Sequence, residues 1–558
     1  MKPEFLKYGL LGLLFATSFV FWGFIHSELL FYMEHYQMFL TDFSYFVERV
    51  SVVGGLADYI GEFITQFFYY PVLGVAFIAV LYVCFLIVTQ KSFKIFGVNE
   101  NFYPLSFLPV IAVWAFMCNE NLLLNFFTAV FISVLTFTLT DRIKPFVIKP
   151  VIVIILYYLL GPAAMITPLM YALREFKENK VLVVLTVLIL PIEAWLFSRL
   201  ADYPTESFFV GIDYLRFPFR SYLHLIMLMI CPLLPYLLSL YNKEFSQKKS
   251  YITSLAVVVS ASVIVLNSPS RVATETIKLY ELTYNQKWDE IIEFYDKKQT
   301  ANTYAIQCLN LALAHKGVLN EKMFCYYQPG ILGLVSDFQT DMFTSLVSGE
   351  VFFRLGAYNL AQRYAFECQE NIANFRSSSK LSLRLAETAI INGDYSVARK
   401  YIIRLLKTAF YKKQAKKYLD LLASGKKIET SPEFALAFSQ KLEKDGAQEE
   451  LNAGAVFSHL LEKNLHNVLA MQYYHAYSML TMNYKALANS LELLNINGVP
   501  QIPRHIQEAL IYYYYNQNKT LKNLPKSISQ NVVMAFQRKN IEDSFWKYVV
   551  FVNKKTSK

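Results

Sequence analysis

The strongest constraint on the fold of this chain is a series of long apolar runs in its first 268 residues. A helix needs about 20 mainly apolar residues to cross the ~30 Å hydrocarbon core of a bilayer. Hydrophobic residues make up 55% of the 558 residues and charged residues 17%, and most of the runs approach that length. The pattern predicts an all-α chain, with nine membrane spans over 1–268 and a separate helical domain over 269–558. The runs cover residues 8–25, 71–89, 103–118, 121–140, 147–160, 162–173, 181–198, 222–241 and 251–267.

The distribution of lysine and arginine predicts how these spans are oriented. Cytoplasmic loops of membrane proteins carry an excess of both residues. If the chain reverses at Gly161-Pro162, thirteen of them lie on the side of the N-terminus and four on the opposite side. If 147–173 is a single span, the division becomes ten against seven. The reversal is therefore favoured, and it predicts a multi-pass bacterial inner-membrane protein with a cytoplasmic N-terminus and a periplasmic C-terminal domain.

Charge and motif content argue against several other classes of protein. The net charge is +10, but the C-terminal half has no block of five or more basic residues, so nucleic-acid binding is not indicated. The six cysteines form no CxxC pair and no zinc-type spacing with histidine. No HExxH, GxSxG or P-loop motif occurs. The disulfide status of Cys308, Cys325 and Cys368 is left open by the sequence.

Between the first two runs lies an acidic stretch, 26–71, that is neither a span nor an ordinary hydrophilic loop. It carries six acids and one base, Arg49. Glu28, His35 and Asp42 recur every seven residues and would share a face if they lay on one helix; Glu34 would lie on another face. Further on, an apolar stripe is separated at helical spacing from a polar one, which predicts a helix lying in the membrane interface. The apolar stripe is Leu56, Tyr59, Ile60, Phe63, Ile64 and Phe67, and the polar one is Asp58, Glu62 and Thr65.

A second outward-facing loop, 199–221, contains Arg216 and Arg220 on either side of a Phe-Pro-Phe sequence. Two guanidinium groups near the membrane surface suit the phosphate of a lipid headgroup. They suit ordinary interfacial anchoring as well. Glu193 lies inside a predicted span, where a carboxylate usually faces protein or a water-filled cavity, although near the outer boundary it can also reach water or Arg199.

After residue 268 the sequence changes to amphipathic helices that alternate with short turns. Two segments, Leu355 to Tyr364 and Asn392 to Tyr401, align at an offset of 37 residues. They share a glycine that can end one helix, an aromatic residue that can begin the next, and an alanine that lets the two pack closely. The pattern resembles tetratricopeptide repeats, whose unit is close to this length. The resemblance implies a helical solenoid that binds a protein or peptide partner.

The layout of the chain resembles the GT-C class of membrane glycosyltransferases, in which an acidic outer loop follows the first span. The resemblance implies that Glu28 or Glu34 acts as general base, with Asp42 as a second acid. It also implies that Arg216 or Arg220 holds the phosphate of a polyprenyl-phosphate sugar donor. The reaction would be attack by an acceptor hydroxyl that a carboxylate activates, with phosphate as the leaving group.

A second hypothesis, from a different functional class, is a non-enzymatic scaffold. The layout, and particularly the stretch GGLADYIGEFITQFFYYPVLG, is similar to a family of polytopic bacterial inner-membrane proteins with a tetratricopeptide-like C-terminal domain. That similarity implies no particular activity. On this hypothesis the chain anchors a helical repeat for periplasmic assembly or secretion, and it contacts membrane lipids and a periplasmic protein or peptide. A transporter is less favoured, because no inverted repeat is evident.

Overall fold

The structure is a computed structural model in which every regular element of the described residues is helical. The chain divides into two compact units. The first comprises 1–274 together with 372–380 and 404–413; the second comprises 275–371, 381–403 and 414–558. The described residues are 3–143, 148–175, 180–200, 205, 207–210, 222–241, 245–337, 339, 341–372, 377–424, 428–442, 452–518, 520–521, 524–525, 527–539 and 541–556.

The helices of the N-terminal half, all in the first unit, are α1 Pro3–Val20, α2 Ser27–His35, α3 Phe43–Val50, α4 Gly55–Thr65, α5 Pro71–Ile95, α6 Leu108–Met117, α7 Leu124–Thr140, α8 Ile148–Leu160, α9 Ile166–Glu175, α10 Lys180–Leu200, α11 Ser207–Val210, α12 Tyr222–Leu240 and α13 Gln247–Asn267. Local sequence explains several of the boundaries. Pro71 occupies the first turn of α5, where its missing N–H costs nothing. The Ser246 side chain caps α13 by accepting a hydrogen bond from the Lys249 backbone.

Four helical stretches in the described part of the chain are long and apolar enough to cross a membrane: 7–25, 71–95, 148–175 and 247–267. Two shorter apolar helices cover 124–140 and 228–240. Membrane association is therefore supported, but the predicted number of nine spans is not. The run 103–118, for example, divides into a 3-10 helix, Glu100–Phe107, and the ten-residue α6.

The third of these stretches, 148–175, meets that length only as a sum, because it is a hairpin of two shorter helices, α8 and α9. A 3-10 turn, Gly161–Met165, joins α8 to α9, and Gly161 has a φ of +69°, a conformation that glycine adopts readily. Lys149, in the first turn of α8, contacts the Glu175 carboxylate at the end of α9. In a straight helix, two residues 26 positions apart would be separated by about 39 Å. The chain therefore reverses at Gly161-Pro162, as the charge distribution predicts; the orientation across a membrane stays a prediction.

A close approach between α4 and α7 fixes the position of the acidic stretch against the first unit's core. A Cβ atom at Gly61 would lie 2.8 Å from the backbone nitrogen of Asn125, so only glycine allows this separation. Beside the contact, Asn125 donates a 2.6 Å hydrogen bond to Asp58. The core that α7 also contacts is aromatic; Phe127 packs against Phe85 with ring centroids 5.5 Å apart.

The remaining helices are α14 Arg271–Tyr284, α15 Trp288–Lys297, α16 Thr303–His315, α17 Leu319–Lys322, α18 Met342–Leu355, α19 Tyr358–Glu370, α20 Ser379–Asn392, α21 Tyr395–Leu405, α22 Lys412–Ala423, α23 Ala435–Gln440, α24 Ala453–Lys463, α25 Val468–Leu480, α26 Tyr484–Asn489, α27 Glu492–Ile496, α28 Arg504–Asn518, α29 Gln530–Gln537 and α30 Phe545–Thr556. The two aligned segments have the predicted local structure. Gly356 and Gly393 follow helix ends with φ of +97° and +88°, and Ala361 and Ala398 are buried. A tetratricopeptide-like solenoid as a whole stays a prediction.

Candidate functional site

The acidic stretch buries one carboxylate in an ion pair with a distant lysine of the same unit. Helix α2 directs Glu34 into the interior, where the residue is 3% exposed. One carboxylate oxygen lies 2.7 Å from Nζ of Lys380, and the other accepts a 2.7 Å hydrogen bond from the Tyr411 hydroxyl. Burial raises the pKa of Glu34, and the charge and hydrogen bond of Lys380 and the hydroxyl of Tyr411 oppose that rise. These three side chains form what we call the Glu34 cluster.

The lysine of the Glu34 cluster is surrounded by further groups from α2. Its ammonium donates to the Phe31 carbonyl at 3.3 Å and lies 3.4 Å from the centroid of the Phe31 ring. Nδ1 of His35 is 3.4 Å from the same ammonium. Burial, followed by the charge of Lys380, holds the pKa of His35 well below 6.5. The lowered pKa favours the neutral form of His35, and Lys380 is the cation that pairs with Glu34.

A second buried carboxylate, Glu62, is held by residues of the acidic stretch itself. Glu62 is fully buried and lies 3.0 Å from Nε of Arg49. The Tyr45 hydroxyl also donates to Glu62, and Arg49 donates to Tyr45 at 3.0 Å. Burial, with the Glu62 charge next in size, raises the pKa of Tyr45 above its ordinary range. The single base of the stretch thus neutralises one of its six acids.

Both carboxylates line one small cavity, whose other polar residues include Gln37, Gln66, Thr408 and Tyr411. The volume of the cavity is about 10 Å³, close to the minimum for a single water molecule and far below the ~300 Å³ of a small-molecule site. Gln37 is 4% exposed, and neither polar atom of its side chain has a hydrogen-bond partner among the described residues. The cavity suits one small polar molecule and is too small for a sugar.

The structure does not bring the three predicted acids together. Of the three, only Glu34 lines the cavity. Glu28 is buried and its carboxylate lies 2.8 Å from Nδ1 of His26. Asp42 pairs with Lys407 at 2.6 Å on a partly exposed surface, and the Lys407 hydrogen bond lowers its pKa.

The predicted acids are separated because the acidic stretch is not one helix. Helix α2 ends at His35 and α3 begins at Phe43. The seven-residue spacing therefore does not define a common face. The predicted phosphate-binding residues, Arg216 and Arg220, lie outside the described residues.

Helix α4 turns its polar stripe inward. Glu62 and Thr65 are buried, whereas Phe63 is 43% exposed. Ile64, which the sequence places on the apolar stripe, is buried. An interfacial helix would turn its polar side to water, so the burial of Glu62 and Thr65 gives the predicted interfacial position no support, and that position stays a prediction.

Sequence reasoning missed Lys380, Lys407 and Tyr411, the partners of two predicted acids. They lie more than 300 residues beyond the acidic stretch, and no periodicity or motif connects the two regions. In contrast, the Arg49–Glu62 pair lies within the stretch, and the presence of a single base among six acids was a signal for it. The segment 404–413 also packs through aromatic rings, with Phe410 stacked on Tyr69 at 5.4 Å.

Metal and disulfide chemistry find no support in the part of the chain that the structure describes. It contains no group of three or more His, Cys, Asp or Glu side chains placed to hold a metal ion. All six cysteines are free, including Cys308, Cys325 and Cys368.

Comparison with known proteins gives a family but no activity. No curated protein and no solved structure matches the chain. Residues 4–539 match a family that is described as a family of unknown function, DUF6057. Because the match covers nearly the whole sequence, the chain belongs to the DUF6057 family.

Proposed function

We propose that this protein is a helical protein of the bacterial inner membrane that acts by binding other proteins rather than by catalysis. In this proposal the apolar stretches of the first unit anchor the chain with its N-terminus in the cytoplasm. The paired helices of the second unit bind a periplasmic protein or peptide during envelope assembly or secretion.

The observation that carries the proposal is the pairing of the acids in the acidic stretch. Glu28, Glu34 and Asp42 each contact a basic side chain of the same unit at 2.6–2.8 Å. A general base needs access to the proton that it removes, and Glu34 lines a cavity of only about 10 Å³. These acids are therefore suited to holding the first unit together.

The second unit supports a binding role through its helix pairs. In the pair formed by α18 and α19, Phe352 stacks on Tyr364 with ring centroids 5.7 Å apart. Aromatic residues also remain on the surface, with Tyr327 42% and Tyr515 37% exposed. Tyrosine is enriched in protein interfaces because it combines a large apolar area with a polar group.

The test is to neutralise the acids without leaving a buried charge unpaired. The double variant Glu34→Gln with Lys380→Met keeps an acceptor for Tyr411 and removes the cation that would otherwise be isolated. Glu28→Gln is the second variant, and the exposed Glu48→Gln is the control. We expect all three variants, when present at wild-type levels in the membrane, to correct the envelope defect of a deletion strain.

Loss of function in the acid variants would favour the enzyme hypothesis. If the double variant or Glu28→Gln is present at wild-type levels and inactive while the control is active, the binding proposal is wrong. Truncation at residue 270 is not an equivalent test. It would remove 372–380 and 404–413, which belong to the first unit, and with them the partners of Glu34 and Asp42.

The second candidate function is a GT-C-like transferase that uses a polyprenyl-phosphate sugar. The observation that favours it is that Glu34 lines a cavity and that burial shifts its pKa upward, which is the direction that a carboxylate needs to act as a general base near neutral pH. In this alternative Glu34 removes the proton of the acceptor hydroxyl, and Arg216 or Arg220 holds the lipid phosphate. The same variants distinguish the two functions.

A further inference from the structure

An apolar groove of about 380 Å³ lies between α1 and α13 in the first unit. Helix α1 lines it from Leu10 to Val20 and α13 from Ser254 to Leu266, while Ile25, Phe107 and Trp114 also contribute. Its volume falls within the ~300–1,000 Å³ typical of ligand sites. Nearly all of the lining side chains are hydrocarbon, so the groove suits a hydrocarbon chain.

The two helices begin at the same end of the groove. The Tyr103 hydroxyl donates to the backbone carbonyl of Lys7 at 2.9 Å, and Asn101 donates to the backbone carbonyl of Phe245 at 2.6 Å. Residues 101–103 thus contact the starts of both α1 and α13. Lys248 and Lys249, in the first turn of α13, therefore lie at the same end as Lys7.

This end of the groove is positively charged. Lys248 and Lys249 are exposed, and Lys7 is partly exposed and lies 3.5 Å from the carboxylate of Glu100. That carboxylate is 73% exposed, so the pair is weak, and the three lysines outnumber Glu100 among the side chains that the structure describes here. None of the residues that line the groove is charged.

Both helices are long and apolar enough to span a membrane, and only 22% of each spanning window is buried in the protein. The first-turn lysines would then lie at the level of the lipid headgroups. The groove would run from that level into the hydrocarbon. A ligand that matches both parts has an anionic head and an apolar tail.

We propose that this groove binds one acyl chain of an anionic phospholipid, whose phosphate group pairs with Lys248, since Lys248 lies about five full turns before Leu266 of the groove wall and so on the same side of α13. A zwitterionic phospholipid fills the groove without the net charge that complements the lysines. The proposal is independent of the function proposed above, since it uses neither the acidic stretch nor the second unit. It also agrees with the orientation predicted from loop charges, because the cytoplasmic leaflet carries anionic lipid.

Trp114 in the groove wall provides a direct readout. The full-length protein in detergent micelles is titrated with phosphatidylglycerol that carries bromine atoms on its acyl chains, which quench tryptophan fluorescence on contact. Brominated phosphatidylcholine is the comparison lipid. The chain has five tryptophans, so the contribution of Trp114 is the difference between wild type and Trp114→Phe. We expect this contribution to be quenched at lower concentrations of phosphatidylglycerol than of phosphatidylcholine.

Two pairs of variants complete the test. Lys248→Gln should reduce the preference for phosphatidylglycerol roughly fivefold, whereas the exposed Lys412→Gln should not. Ala261→Phe, which fills the groove, should abolish quenching of Trp114. Ala256→Phe, on the exposed side of α13, should leave it intact. Equal quenching by both lipids, or equal quenching in the two phenylalanine variants, would overturn the proposal.

Discussion

The pairing of Glu62 with Arg49 predicts a large and strongly coupled effect on stability. Glu62 is fully buried, and the Arg49 side chain is 14% exposed. Removing one partner of a buried ion pair typically costs about 3–5 kcal/mol, because the other charge stays buried without compensation. Arg49→Met leaves Glu62 with the Tyr45 hydroxyl, so we expect a loss of about 3–4 kcal/mol.

Substitution of the acid instead of the base should reduce the stability by less, because the Arg49 left behind has some access to solvent. Glu62→Gln keeps the size of the side chain and an acceptor for Tyr45, and we expect a loss of about 2–3 kcal/mol. With both charges removed, Glu62→Gln with Arg49→Met should lie within about 1–2 kcal/mol of wild type. The double variant is therefore expected to be more stable than either single variant.

The assay is equilibrium unfolding of the full chain in mixed micelles with increasing sodium dodecyl sulfate, followed by circular dichroism. The control is Glu48→Gln on the same helix α3; Glu48 is exposed, and its change should stay within about 0.5 kcal/mol. Additive effects of the two single variants would show that Glu62 and Arg49 do not stabilise each other. That result would refute the argument.

Three further predictions follow from the described contacts. The pKa of buried His475 is lowered to about 4, mainly by burial; the unfolded chain then binds the extra proton, so stability falls as the pH drops from about 6.5 towards 4. His475→Gln should remove about 1.4 kcal/mol per pH unit from that slope, measured by unfolding at several pH values, and an unchanged slope would contradict it. Asp42→Asn should cost less than about 1 kcal/mol, because the ion pair with Lys407 is partly exposed; a thermal-shift loss as large as that of Arg49→Met would contradict it. Gly61→Ala should destabilise by about 1–3 kcal/mol through the contact with Asn125, whereas Gly12→Ala, with nothing within 4 Å of its added Cβ, should cost nothing.

Hydrophobic runs were enough to predict an all-α chain with helices long and apolar enough to cross a membrane, because both properties depend on local composition. Loop charges also predicted the reversal at Gly161-Pro162, since charge asymmetry distinguishes the two ways of threading 147–173. The number of spans was less predictable. Run length does not show where a 3-10 turn shortens a helix, as it does before α6.

At the candidate site, too, the sequence predicted part of the arrangement. The concentration of acids identified Glu28, Glu34 and Asp42 as candidates, but it did not predict that each lies in a different environment. Heptad spacing assumes a continuous helix, and the break between His35 and Phe43 removes that assumption.

What the sequence alone determined is which segments are helical and apolar, and where acids are concentrated. Only the tertiary structure decided that Glu34 pairs with Lys380 and Tyr411. The physical reason is that burial makes an unpaired carboxylate very costly, while the partner that removes this cost can come from any distance along the chain. Periodicity carries no information about such a partner. The proposed binding role rests on this pairing and not on the mere presence of the acids.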